Sequence, residues 1–139
     1  MNFPDFVDNP AHIDTTFLPL NDHMVLTNPE RPPVAEDRKL FEDNDFKLIQ
    51  APYYAKEFAT EEDRWICSNW ISMNVLSLSP NKVVVEEKEQ PLIKCLEEHG
   101  FDVITVPYRN VVPFGGGLHC TTWDIRRRGT LKNYFPHRE

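Results

Sequence analysis

The sequence predicts an α/β fold built from a repeated ββαβ unit. Two short extended runs, one helical stretch and a further extended run occur in that order, and then the order repeats. Matching residues, such as Phe46 and Phe101 or Phe17 and Val75, lie about 55–58 positions apart. Asn21-Asp22 and Ser79-Pro80-Asn81 mark the turn between the first two extended runs in each pass. One unit of this size cannot bury its own sheet face, so the units must pack side by side.

Residues 1–14 carry no helical periodicity, Pro4 and Pro10 breaking any run. Thr15 to Leu20 reads as a strand, Asn21-Asp22 as a turn and His23 to Thr27 as a second strand. A proline-rich loop, Asn28 to Pro33, leads to a short helix over Ala35 to Asp43 and a strand at Phe46 to Ile49. The second pass has a lead-in at Trp65 to Trp70, a strand at Ser72 to Leu78 and a turn at Ser79 to Asn81. Lys82 to Glu86 is its second strand, with three valines in succession. Gln90 to Glu98 is amphipathic at helical spacing, closed by Gly100 at the C-cap, and Phe101 to Val106 is the third strand. A third unit begins at the glycine loop and stops almost at once. The expected division is therefore one partial domain over 1–139, with units at about 12–65 and 66–112 and the start of a third at 113–139. The chain reads as cut from something longer.

A length of 139 residues with 40% hydrophobic content, nine Phe, four Tyr and three Trp describes a globular chain with a modest core. The net charge of -7 argues against a nucleic-acid partner, which requires a basic face. Arg126 to Arg128 form a basic cluster that reads as a solvated terminal segment. Cys67, Cys95 and Cys120 are odd in number and without framework spacing, which favours a reducing compartment. Cys95 falls on the apolar stripe of its helix and reads as core. No apolar run is long enough to span a bilayer, and the N-terminus has no signal or transit character. A soluble intracellular chain is expected.

The chemistry centres on Gly115-Gly116-Gly117-Leu118-His119-Cys120. Successive glycines admit positive φ and close approach of the backbone, and a cysteine directly after them is a candidate nucleophile. The bland alternative is a glycine turn carrying an ordinary thiol. The lead-ins to the three units hold His12, then Cys67 with Ser68, then Cys120, and equivalent positions of ring-arranged units converge on one end of the axis. A histidine beside the thiol can take its proton and return it to a leaving amine. Asp14 should share a face with His12 by alternation along an extended segment and could accept a guanidinium in bidentate fashion. Arg31 could clamp a carboxylate in the same way. Each of the three is also explained as a loop or cap residue. His119 should face away from Cys120 and is taken as a positioning residue. His12, His119 and Cys120 could in principle hold a metal, but no paired metal-ligand spacing supports one, so neither a metal nor a cofactor is expected.

Four ordered stretches then carry a resemblance. Asn9-Pro10-Ala11-His12-Ile13-Asp14, Asn28-Pro29-Glu30-Arg31-Pro32, Trp70 to Leu76, and the glycine loop continuing to Asp124-Ile125-Arg126-Arg127-Arg128-Gly129-Thr130-Leu131 strongly resemble the C-terminal part of the glycine amidinotransferases. The inosamine-phosphate amidinotransferases are similar more loosely. The resemblance implies the pentein fold, a five-bladed α/β propeller of ββαβ units, of which about two and a half are present here. It implies transfer of the amidino group of arginine to an amine such as glycine through an amidino-cysteine.

In that scheme Cys120 is the nucleophile and His12 the general acid/base. Asp14 holds the guanidinium, Arg31 binds a substrate carboxylate, and Ser68 with Cys67 contacts substrate. Cys67 stands where the animal type has a second serine, and Ala11 where it has a methionine. The family's carboxylate partner for the histidine lies in an upstream module. Covering modules or a second copy of the chain should hide the sheet edges left open. The resemblance implies a cytoplasmic protein, or a mitochondrial one if it is of the animal type. Rival expectations are a guanidine hydrolase of the same fold and a non-catalytic chain that binds a partner.

Overall fold

The computed structural model describes residues 12–53, 70–129 and 132–135. The first pass comprises β1 (Phe17–Pro19), β2 (Met24–Thr27), α1 (Ala35–Asp43) and β3 (Lys47–Gln50). The second comprises β4 (Leu76–Ser79), β5 (Lys82–Glu86), α2 (Gln90–Glu98) and β6 (Asp102–Val106). Each pass makes a three-stranded sheet, ordered β1-β2-β3 and β4-β5-β6. In both, the first pair is antiparallel and the second, bridged by the helix, is parallel. The expected ββαβ repeat is thus present as an α/β structure with two small sheets.

Each sheet is preceded by a short 3-10 turn, Ile13–Thr15 before β1 and Ile71–Met73 before β4. A third, Val112–Phe114, follows β6. All three close alike: Thr16 N–H donates to Ile13 O at 2.8 Å, Asn74 to Ile71 at 2.9 Å and Gly115 to Val112 at 2.9 Å. These turns correct two expectations. The strand placed from Thr15 starts at Phe17, and the one placed from Ser72 starts at Leu76. Both lead-ins spend their backbone bonds locally, so Asp14 sits on a turn and not on a strand.

The core is one cluster: Leu18, Leu26 and Ile49 from the first sheet, Val83 and Val85 from the second, Leu92 and Leu96 from α2, with Trp70 and Met73 at the cap and end of the second 3-10 turn. β5 is buried along Val83 to Glu86: β4 and β6 flank it, and Val83 and Val85 join the core cluster with Leu92 and Leu96 of α2. Helix α2 presents Leu92, Ile93 and Leu96 to the core and carries Pro91 in its first turn, where the missing N–H costs nothing. Cys95 is half-buried against the same cluster. Helix α1 buries no residue; Phe41 reaches down to Phe17 and Phe46 in edge-on contacts of 5.8 and 6.0 Å.

Arg126 to Arg128 are exposed, as expected, with Arg127 bonded to Asp124 and to the Ser77 carbonyl. Ile13, Phe114, Trp123 and Ile125 are also open to solvent. Among the described residues no helix is long and apolar enough to cross a membrane.

Candidate active site

The three 3-10 turns bring the chemistry together. Asp14, in the first, is buried; Asn74, directly after the second, is 2% exposed. The third hands the chain to Gly115, whose φ of +84° is open to glycine at no steric cost. The loop then folds back over Asn74. His119 N–H donates to the Asn74 carbonyl at 3.3 Å, and Cys120 N–H donates to Asn74 Oδ1 at 2.9 Å. Gly117 is required for that approach, since a Cβ there would stand 2.6 Å from Asn74 Cβ. At least one glycine of the run therefore serves contact distance and another serves backbone angle.

Asp14 Oδ2 is the hub. It accepts from Asn74 Nδ2 at 2.8 Å and from the Cys120 thiol at 3.3 Å, and it lies 3.1 Å from His119 Nδ1. Asn74 Nδ2 also donates to Cys120 Sγ at 3.1 Å. Asp14 Oδ1 is buried and has no partner among the described residues. His12, exposed at the N-cap of the first turn, places a ring nitrogen in the same group: the ligand atoms of His12, Asp14 and Cys120 lie within 4.8 Å of one another.

His12, Asp14 and Cys120 therefore meet as the sequence predicts, but by a different route. The first and second 3-10 turns pair His12 with Trp70, not with Cys67 or Ser68, and Trp70 donates its indole N–H to Glu30 Oε2 at 2.8 Å. Cys67 and Ser68 lie outside the described residues. His119 corrects another expectation. It occupies a turn, where adjacent side chains need not oppose, and so it shares Asp14 with Cys120. Arg31 is half-buried, its guanidinium donating to the Thr15 carbonyl at 2.9 Å and to the Thr16 hydroxyl at 3.2 Å. It is thus pinned to the residues that follow Asp14.

The electrostatics of the thiol are set by these neighbours. Cys120 is exposed as a residue, yet partial burial pushes its thiol above the ordinary range, and the charge and hydrogen bond of Asp14 add to it. The Gly117 backbone and the Asn74 amide pull the other way. Burial lowers Arg31 from its usual value, with Glu30 opposing. The histidine, carboxylate and thiol would also reach around a divalent ion, a grouping that linear spacing did not show.

Two features escaped the sequence reading. One is Asn74, whose position after a turn, with a glycine to meet it, is a tertiary fact. The other is a buried ion cluster, Arg109 with Glu86 and Glu89, both at 3.0 Å. It borders a small cavity shared with Ser72, Asn74, Gly117 and Leu118, and so backs the site from the core side.

Comparison with known proteins identifies the relatives of this chain. The sequence profile of the arginine deiminase family matches residues 7–127. The mitochondrial glycine amidinotransferase of Gallus gallus is 41% identical over 127 residues, 91% of this chain and 29% of the relative. The L-arginine:L-lysine amidinotransferase of Pseudomonas savastanoi pv. phaseolicola is 40% identical over 91% of this chain and 33% of its own length. Among solved structures, an amidinotransferase from Microseira wollei in the saxitoxin biosynthetic pathway superposes with a TM-score of 0.78 at 40% identity, covering 89% of this chain and 35% of that one. The inosamine-phosphate amidinotransferase of Streptomyces griseus does so with 0.76 at 35% identity, over 88% and 34%. The chain spans about a third of the length of these relatives. It belongs to the arginine deiminase family, and the relatives that share its site-bearing segment at such identity are amidinotransferases.

Proposed function

We propose that this chain supplies the cysteine-bearing part of an amidinotransferase active site, moving the amidino group of arginine to an amine such as glycine. The observation that carries the proposal is Asp14: one oxygen is saturated, and the other is buried and empty among the described residues. An unpartnered buried carboxylate oxygen is costly. A guanidinium N–H suits it in geometry and in charge.

The same cation answers the state of the thiol. Guanidinium charge beside Asp14 offsets the carboxylate that holds the Cys120 proton in place, so substrate binding favours the thiolate. The sulfur then attacks the guanidinium carbon, an S–C bond forms, and the C–N bond to ornithine breaks. His12, within reach of the sulfur, passes the proton to the departing amine. In the second half the acceptor amine loses a proton to His12 and attacks the amidino carbon. The S–C bond breaks and the thiol is restored. Arg31, held by Thr15 and Thr16 just past Asp14, binds the substrate carboxylate, and Cys67 and Ser68 supply further contacts.

In this proposal the two ββαβ units and the third turn belong to a five-bladed pentein propeller. The division is at about 12–65, 66–112 and 113–139 within one partial domain. Upstream modules supply the acid that orients His12, and they or a second copy cover Phe114, Trp123 and Ile125. The compartment is mitochondrial if the whole protein is of the chicken relative's type, and otherwise cytoplasmic.

The test is intact mass after incubation with arginine and acid quench, with Cys120→Ser as control. One amidino group gained by the chain and lost in the variant is the expected result. Citrulline in solution without transfer to glycine would point to hydrolysis instead. An adduct only on a version extended by a relative's upstream portion would make this an incomplete half-site. No adduct in either would overturn the proposal.

A further inference from the structure

We infer that Asn74 is the positioning residue of this site, a single amide that sets the direction of the Cys120 sulfur and holds Asp14 beside it. The inference rests on the amidinotransferase proposal for its meaning but not for its geometry. Asn74 Oδ1 accepts the backbone N–H of Cys120, which fixes which way round the amide lies. The two hydrogens of Nδ2 are then spent separately, one on Asp14 Oδ2 and one on Cys120 Sγ. With Oδ2 so engaged, Oδ1 is the carboxylate oxygen left for a ligand.

Gly117 is an independent sign that the amide is built in. The loop gives up a side chain exactly where Asn74 needs room, a Cβ there falling 2.8 Å from Oδ1. The Asn74 backbone takes part as well, its carbonyl accepting from His119 N–H. An amide with hydrogen-bond donors on one side and an acceptor on the other acts on the thiol in two ways. It aims the sulfur through the backbone bond, and it offers an N–H to the negative charge that forms when the proton leaves. Removing it takes away the side-chain N–H that Asn74 places between the Asp14 charge and the sulfur.

The experiment follows Cys120 alkylation by iodoacetamide against pH, read on the Cys120 peptide, for the full chain and for Asn74→Ala and Asn74→Asp. Melting curves establish that each variant folds. Asn74→Ala should move the profile to higher pH and slow alkylation at neutral pH about three- to tenfold, a pKa unit being tenfold in thiolate. Asn74→Asp, of the same size but without the N–H donors, should move it further in the same direction, and it carries the test if the alanine variant does not fold. Gly117→Ala, which leaves the amide intact but crowds it, should shift the profile in the same sense by displacing it. Folded variants with the parental profile would overturn the inference. Because this readout needs no arginine, a shifted profile without any amidino adduct would keep Asn74 and reject the amidinotransferase proposal.

Discussion

The two ββαβ units share one wiring and divide the work between them. Their backbones correspond down to single bonds: Lys47 N–H to His23 O at 2.7 Å matches Asp102 to Asn81 at 2.7 Å, and Phe46 to Phe41 at 2.9 Å matches Phe101 to Leu96 at 3.1 Å. The turn after the second strand is also common. Glu30 N–H donates to Asn28 Oδ1 at 2.9 Å, and Lys88 N–H donates to Glu86 Oε2 at 2.9 Å. What differs is the charged residue that closes this turn. In the first unit it is Arg31, half-buried on Thr15 and Thr16; in the second it is Glu89, 1% exposed and paired with Arg109. One backbone thus presents a cation beside the turn that holds Asp14 in one copy and an anion to the interior in the other. Duplicated structure fixes where a side chain leaves the backbone; its chemistry decides whether the position builds a site or a core.

Breaking the second position should cost most. Arg109→Ala strands Glu86 and Glu89 in the interior, and loss of one partner from a buried ionic cluster costs about 3–5 kcal/mol. Chemical denaturation should show this as a lower midpoint at unchanged slope. Arg31→Ala removes bonds on a half-open surface and should cost about 1 kcal/mol, acting instead on the arginine concentration needed for half-maximal labelling. Equal stability losses from the two would erase the contrast between the units.

A second contrast lies one turn upstream, where Asp14 in the first unit corresponds to Ser72 in the second, both buried. Burial first and Asp14 next hold the Cys120 thiol up. Asp14→Asn should therefore move the alkylation profile of Cys120 to lower pH, by about one unit or less, while abolishing amidino transfer. Nucleophile reactivity and turnover would move in opposite directions. The raised thiol also sets a sign for stability. Its contribution is complete below the pKa of the unfolded thiol and is lost as pH rises through the higher folded value. A profile that moves upward in Asp14→Asn would deny the carboxylate its place beside the sulfur.

Local patterns made the repeat legible before any coordinates. Val83 to Val85, the Leu92-Ile93-Leu96 stripe and the stop at Gly100 carry strand, helix and cap in their own composition. Helix α1, though it buries nothing, was also legible, because Pro32 and Pro33 mark its start and the apolar Phe41 its inner edge. The lead-ins were not. Ile13–Thr15 and Ile71–Met73 carry β-branched or apolar residues that suit a strand, yet their backbone bonds close locally. The meeting of His12, Asp14 and Cys120 was legible through motif order, whereas Asn74 was not, because its role consists of contacts with residues far along the chain. Arg109 with Glu86 and Glu89 stayed hidden for the same reason: in sequence, buried charges look like surface ones.

The helix C-termini give the finest contrast. Both end in the same bonds, Asp45 N–H to Glu42 O at 3.1 Å and Gly100 N–H to Glu97 O at 2.9 Å, with the capping residue left-handed in each. The second unit uses glycine there, at φ +86°, but the first uses Asp45 at φ +60°. A β-carbon in that conformation costs about 1–2 kcal/mol, and aspartate tolerates it better than most. Replacing it with glycine relieves this strain and gives back part as extra freedom of the unfolded chain. Asp45→Gly should thus stabilise the protein by about 0.5–1 kcal/mol, seen as a higher denaturation midpoint, with Cys120 alkylation unchanged. Gly100→Asp should lower the midpoint by a similar amount, since nothing stands within 4 Å of the added Cβ and only the backbone angle resists it. If both substitutions proved neutral, the two caps would be interchangeable, and the asymmetry between the units would be confined to the side chains that face the site and the core.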